Sequence, residues 1–336
     1  MEVIELKKGF GLANLGPAER PDPRPGPGQV LLEMQAASVN YRDLLTVQGR
    51  YNPRQPLPLI PFSDGVGVVR ELGEGVTRVQ EGDRVCPIFA QSWLAGEMTK
   101  EALTSTLGGP LDGTLARYMV LGQEGVVPVP AHLGDEEAAC LPCAALTAWS
   151  ALVTKGSLKV GDTVLLLGTG GVSLFALQFA KLLGAQVVIT SSSDEKLDRA
   201  RALGADEVIN YKKTPEWGRQ AKALTGGRGM DQVVEVGGAE TLTQSLAAMG
   251  PGGTVSVIGV LSGLDSQLNL IPLLMQNLKL QGIFVGSRQG FEEMNRAIAR
   301  HQLKPVVDKV FPFKEARAAL EHLAAGKHFG KICLRF

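Results

Sequence analysis

From Thr163 to about Val285 the sequence changes its hydrophobic period repeatedly, and that alternation restricts the fold more than any other feature. Short apolar runs read as buried strands: TVLLLG (163–168), QVVIT (186–190), EVI (207–209), QVVEV (232–236), GTVSVIGV (253–260) and LQGIFVG (280–286). Between them lie stretches with apolar residues at helical spacing. These are Val172 to Leu183, closed by Gly184, EKLDRARAL behind an N-cap read at Asp194, and segments around 215–224 and 239–248. A connection long enough to hold a helix joins parallel strands. The sequence therefore predicts an α/β fold with a doubly wound parallel sheet covered by helices on both faces.

The first 150 residues lack this rhythm. VLLEMQAASV (30–39), DGVGVVREL (64–72) and DRVCPIF (83–89) are strand-like and separated by segments such as PAERPDPRPGPGQ, whose prolines exclude a helix interior. This half reads as mostly β. The last ~45 residues add two amphipathic helices (292–301 and 314–325) and a strand, KICLRF, expected to return to the β domain and make it discontinuous. The expected boundaries are 1–122, 123–288 and 289–336.

LLLGTGGVSLFA (165–176) carries the chemistry. In the spacing G-x-G-x-x-G, Gly168 and Gly170 fill the first two positions and Ser173 the third. Gly168 permits the tight turn and Gly170 a close approach to a pyrophosphate. The helix start at Gly171 and Val172 offers unpaired N–H groups to an anion. The third glycine serves helix–sheet packing, so Ser173 bears on packing more than on phosphate contact. An NAD site has an acid about 20 residues past the glycines. Here Ser191, Ser192 and Ser193 stand at that place, with Lys196 one turn on and Tyr211 after the third strand. Uncharged hydroxyls with a nearby lysine suit a 2′-phosphate, so the sequence favours NADP(H). Asp194, three residues late, is the alternative acceptor for a ribose hydroxyl.

Lys+Arg and Asp+Glu both number 34, and no basic or acidic block stands out, so neither a nucleic-acid footprint nor a disordered acidic tail is expected. The partner is a small molecule. No apolar run reaches the ~18 residues of a membrane span, and the N-terminus has no signal-peptide core. A cytoplasmic location is the expectation. Cys140 and Cys143 form a C-x-x-C pair, open to a redox or metal reading. With no second pair and no nearby histidine, buried helix thiols are the favoured reading.

SVNYRDLL, GVGVVRELGEGVTRVQEGDRV, DGTLARYMVL, CLPCAALTAWSAL and GTGGVSLFALQFAKLLGAQV occur in this order along the chain. Together they resemble the medium-chain dehydrogenase/reductase superfamily, in its zinc-free quinone-oxidoreductase-like and zinc-type-alcohol-dehydrogenase-like branch. The resemblance covers essentially the whole chain and implies a GroES-like domain flanking a Rossmann domain. Zinc members carry a cysteine where this chain has Asn40 and a histidine where it has Ser63, within G-H-E against Phe62-Ser63-Asp64. Only Cys143 keeps a thiol, and the structural four-cysteine lobe is absent. No metal is expected.

Without a metal, the resemblance implies hydride transfer from NADPH to an acceptor that stabilises charge itself, a quinone or an α,β-unsaturated carbonyl. An alcohol or aldehyde dehydrogenase and an inactive NADPH-binding regulator are the alternatives. Asn40 is the first candidate for a polar contact at the reacting centre, against a strand-end amide serving local backbone. Tyr51 matches a cleft tyrosine of quinone reductases, against a surface-loop residue. Asp43 reads as a helix cap, and Asp64 as a group shaping the site. The resemblance further implies cofactor contacts at Thr147, Gly237, Gly259, Val260, Phe284 and Val285, with Lys331 near the pyrophosphate. It also implies a homodimer joined through the sixth strand.

Overall fold

A computed structural model of the chain describes residues 1–263, 265 and 267–336. The chain forms two compact units, one of Met1–Leu146 with Gly286–Phe336 and one of Thr147–Val285.

The second unit holds a six-stranded sheet: β1 (Thr163–Leu166), β2 (Gln186–Ser191), β3 (Glu207–Asn210), β4 (Met230–Glu235), β5 (Met249–Val257) and β6 (Lys279–Gly282). Every pair is parallel and the order is β3-β2-β1-β4-β5-β6. This is the doubly wound Rossmann arrangement, in which the order reverses beside β1 and opens a crevice at the strands' carboxyl ends. Strand β1 has no exposed residue because helices cover both faces, which is why its sequence is an unbroken apolar run. Helix α1 (Gly171–Leu182) buries Leu174, Phe175, Leu177 and Phe179, and the Phe179 ring meets Trp149 edge-on at 5.4 Å. The Ser173 hydroxyl donates to the Leu167 carbonyl at 2.6 Å. Where a third glycine would let helix and strand approach, a hydrogen bond ties them instead.

Three features differ from the sequence reading. Strand β6 stops at Gly282 rather than running to 286, since Val285 has φ 49, a conformation no strand can contain. Helix α2 (Asp194–Ala202) is capped by Ser193, whose side chain accepts from the Lys196 N–H. Asp194 is not the cap. A helix over Leu270–Met275 was not foreseen.

The first unit is built on a seven-stranded sheet centred on Gln29–Ser38, which pairs antiparallel with Asp64–Leu72, with Tyr118–Gly122 and with the closing strand Lys331–Arg335. Ser38 lies opposite Asp64 on one side and Cys333 on the other. The tail thus returns to the β sheet, bringing a further strand, Val307–Pro312, that pairs parallel with Lys331–Arg335. The core beneath includes Val30, Leu32, Met34, Phe62, Leu115, Ile332 and Leu334.

Residues 123–146 pack with this unit, so the first boundary falls at 146/147 and not at 122/123. Val126–Pro128 joins the sheet beside Arg84–Pro87, and Arg84 holds Asp135 at 2.6 Å. The chain re-enters the unit at Gly286, three residues before the expected 289. All four cysteines are free, and Cys140 neighbours Cys333 at 3.5 Å through sulfur rather than Cys143.

Removing the helix–strand tie with Ser173→Ala should lower stability by about 1 kcal/mol. Urea unfolding should show an earlier midpoint with an unchanged slope; an unchanged midpoint would mean that the bond adds nothing.

Candidate active site

In the second unit the carboxyl end of β1 leads into an open cradle. Gly168 has φ 70, which excludes a side chain on conformational grounds, and a Cβ built at Gly168 or Gly170 meets nothing within 4 Å. Space is free above the turn. Helix α1 starts beyond Gly170 with no side-chain cap, so the N–H groups of Gly171, Val172 and Ser173 lack intrahelical acceptors and carry the positive end of the helix dipole. The Gly168 N–H donates to Thr190 Oγ1 at 3.2 Å, fixing the turn to β2. The residues present fit a dinucleotide's pyrophosphate.

At the end of β2, Ser191 is buried and its hydroxyl accepts from the Ser193 N–H at 3.3 Å. The Tyr211 N–H donates to the Ser191 carbonyl at 3.1 Å, which brings the tyrosine after β3 to the serine cluster. Ser192 and Lys196 are half-buried beside it in sequence, and the Tyr211 ring is exposed. Asp194 is committed elsewhere: its carboxylate holds Lys213 at 2.6 Å and the Asn210 amide at 2.7 Å. Those two bonds, Lys213 first, hold its pKa below the ordinary range.

The loop after β4 is organised by Glu235, a wholly buried carboxylate that the sequence reading missed. Oε1 accepts from the Gly237 N–H (2.7 Å), the Gly238 N–H (3.0 Å) and the Thr241 hydroxyl (2.7 Å), and Oε2 from the Ser245 hydroxyl. The Gly237 carbonyl accepts from both the N–H and the hydroxyl of Ser262, and the Gly238 carbonyl from the N–H groups of Thr241 and Leu242. A lone acid closing the apolar run QVVEV before two glycines was the signal available. Gly259 is a glycine for close packing, because a Cβ there would lie 2.0 Å from the Val236 carbonyl oxygen. Val260 is exposed; Phe284 is half-buried, and Val285 is buried with its strained φ. Thr147 is buried in a single α-helical turn, Leu146–Trp149, flanked in sequence by two π-helical turns, Leu141–Ala145 and Ser150–Thr154. Such widened turns recur at functional sites.

The first unit holds a buried polar cluster. Asn40 caps the helix Tyr41–Val47, and its N–H donates to Asp43 at 2.8 Å. Asp43 is fully buried; burial pushes its pKa from an ordinary 3.8 to about 6, against the pull of Arg42. The Arg42 guanidinium reaches Asp43 (3.3 Å) and the carbonyls of Leu107 (2.9 Å) and Gly109 (3.1 Å). It also lies over the rings of Tyr51 (4.8 Å) and Phe89 (5.1 Å). Asn40 and Tyr51 are thereby joined through Asp43 and Arg42, with the Tyr51 side chain 42% exposed.

Lys331, expected near a pyrophosphate, is instead buried in this cluster at 4% exposure. Its ammonium donates to the Val39 carbonyl (2.8 Å) and Asn40 Oδ1 (2.5 Å) and lies 3.8 Å from Asp64. The reason is the register of the closing strand, which starts beside the end of Gln29–Ser38. Asp64 accepts from the hydroxyls of Ser38 (3.1 Å) and Ser63 (3.2 Å). Burial raises the Asp64 pKa, with Lys331 opposing; for Lys331 burial acts downward, but Asp64 and the neighbouring thiols carry it above the ordinary value. Just before Ser63, the buried Phe62 has φ 71, strain of the kind that collects at functional sites.

Residues 26–131 match the alcohol dehydrogenase GroES-like domain and residues 171–300 the zinc-binding dehydrogenase domain. A zinc-type alcohol dehydrogenase-like protein of Schizosaccharomyces pombe is 44% identical over 332 residues, covering 97% of this chain and 96% of that protein. The chain is a medium-chain dehydrogenase/reductase. A further member, the acryloyl-coenzyme A reductase of Metallosphaera sedula, is 31% identical over 93% of this chain and 94% of that protein. The crystal structure of an NAD-dependent alcohol dehydrogenase is 34% identical, with a TM-score of 0.92 and full coverage of both chains. As a member of this superfamily the protein is an NAD(P)H-dependent oxidoreductase with a nicotinamide cofactor.

The family's zinc does not fit the residues present. Among the described residues no group of three His, Cys, Asp or Glu could hold a metal ion. The Asn40 oxygen is taken by an ammonium, Ser63 offers a hydroxyl, and burial pushes the Cys143 thiol well up, away from the thiolate zinc requires. A dication would have to sit against Lys331.

Because Asp43 binds its proton more tightly in the folded chain, its contribution to stability is greatest below pH 4 and falls as pH rises through 6. The shift of roughly two units corresponds to about 3 kcal/mol. Urea unfolding between pH 4 and 7 should show this slope, and Asp43→Asn should flatten it. A variant with the same slope would assign the titration elsewhere.

Proposed function

We propose that this oxidoreductase transfers hydride from NADPH to a quinone or an α,β-unsaturated carbonyl, without catalytic zinc. The observation that carries the reading is the Lys331 ammonium seated on the Asn40 oxygen. With that charge in place the site lacks the Lewis acid that lowers an alcohol's pKa, and an electron-poor acceptor is the substrate that needs none. The acryloyl-coenzyme A reductase among the relatives is in keeping with an activated alkene.

When bound, the cofactor supplies the hydride. The chain's part is to hold and orient. The N–H groups of Gly171 and Val172 bind the pyrophosphate, and Ser191, Ser192, Lys196 and Tyr211 receive the 2′-phosphate. Thr147, Phe284 and Val285 flank the nicotinamide, and Gly237, Gly259 and Val260 the remaining cofactor surface. Hydride adds to the electron-poor carbon and the displaced electron pair moves to the carbonyl oxygen, where Asn40 and the Tyr51 hydroxyl donate hydrogen bonds. Solvent supplies the proton. With four free thiols the cytoplasm is the setting of this reading.

The partner of the protein is a second copy. Strand β6 ends the sheet with a free edge, and Leu270, Ile271, Leu274 and Met275 are 61–74% exposed on the helix before it. An unpaired edge beside an apolar face is what a homodimer covers. Leu274→Asp with Met275→Asp should convert a dimer into a monomer by light scattering; a monomeric parent would sink this part.

Titrations with NADPH and NADH in chelator-treated buffer test the cofactor. NADPH should bind at least ~10-fold more tightly, a difference of about 1.4 kcal/mol, and Ser192→Asp should narrow or reverse it. The NAD-dependent alcohol dehydrogenase among the similar structures favours the second reading, a dehydrogenase. Preference for NADH, with chelator-sensitive reduction by alcohols, would establish it. NADPH binding without turnover across quinones and enones would leave a regulator.

A further inference from the structure

An ammonium buried to 4% exposure is costly unless oxygens surround it. Lys331 has three: the Val39 carbonyl at 2.8 Å, Asn40 Oδ1 at 2.5 Å and Asp64 at 3.8 Å. An ammonium donates and cannot accept, so the amide of Asn40 is forced to present its oxygen to Lys331. Its nitrogen is thereby turned the other way. Nδ2 carries two hydrogens and has one bonded neighbour, the Ser63 hydroxyl at 3.5 Å, at the outer limit of a hydrogen bond. Donor capacity is left on the nitrogen. The backbone of Asn40 is fixed as well, through its N–H on Asp43. Asp64 is held by Ser38 and Ser63, so the counter-charge is as fixed as the ammonium.

We infer that Lys331 is a positioning residue: its ammonium, balanced by Asp64, locks the Asn40 amide with its nitrogen as donor to the acceptor's oxygen. The charge that zinc members gain from a metal ion is here a lysine acting through an amide. The inference rests on the reductase reading above.

A preset donor matters most for acceptors that stabilise the developing oxyanion least. The test is single-turnover hydride transfer from NADPH to a series of substituted benzoquinones and enones of graded electron deficiency. The proteins are the full-length parent, Asn40→Ala, Lys331→Met and the double variant. Lys331→Met should slow transfer to the least electron-poor acceptors on the order of 10–100-fold and to the most electron-poor ones much less. The dependence on acceptor potential then steepens, with NADPH affinity and KM little changed. Asn40→Ala should steepen it alike, and the double variant should be no slower than Asn40→Ala, since both changes remove one interaction. Lys331→Arg should restore part of the rate.

Equal loss on every acceptor, or losses that multiply in the double variant, would overturn the inference and leave Lys331 a structural residue. Weakened NADPH binding in Lys331→Met would return it to the cofactor. A parent that binds NADPH and reduces none of the series would instead overturn the reductase reading. Should Lys331→Met fail to fold, Lys331→Arg and Asp64→Asn carry the same comparison: a lost or tilted ammonium steepens the dependence, and an unchanged slope overturns the inference.

Discussion

The pairing of the closing strand with Gln29–Ser38 holds the first unit's site in being. It joins Lys331 to Val39 across 292 residues of sequence. Because side chains alternate along a strand, a slip of one residue would turn Lys331 to the opposite face and leave Asp64 buried without its cation. The third member, Asp64, arrives from the other neighbour of the same central strand, opposite Ser38. One register thus settles a charge balance: an ammonium and a carboxylate that would each be prohibitive alone are tolerable in each other's company.

The second unit solves a different problem, holding a turn open. Gly168 supplies the conformation, Thr190 anchors the turn to the next strand, and Ser173 pins the helix to the end of β1. The duties of the three-glycine pattern are separate ones. Only the two that concern backbone shape at the ligand need glycine; the packing duty passes to a hydroxyl.

What was legible follows the range of the forces involved. The parallel sheet, its six strands and the cradle were readable because strand–turn–helix patterns are local, and the capping role of Asp43 lies within one helical turn of Asn40. The buried cluster was not readable. Lys331 in KICLRF looks like a basic residue free to reach an anion, and its place depends on a strand pairing between the two ends of the chain. Arg42 is likewise defined by carbonyls at Leu107 and Gly109, 65 and 67 residues away. Ser193 displaced Asp194 as the cap because Asn210 and Lys213, beyond the next strand, claim that carboxylate. The boundary at 146/147 was missed since a three-residue strand, Val126–Pro128, carries little pattern of its own.

The Gly237–Gly238 loop has a consequence for selectivity. Both N–H groups are turned inward to Glu235, and both carbonyls already accept two hydrogen bonds each. The backbone there is saturated. A ring resting on this loop would meet a flat, chemically mute surface that measures thickness and contour but reads no pattern of donors and acceptors. Any distinction between one dinucleotide and another has to be drawn at the other end of the crevice, by charge.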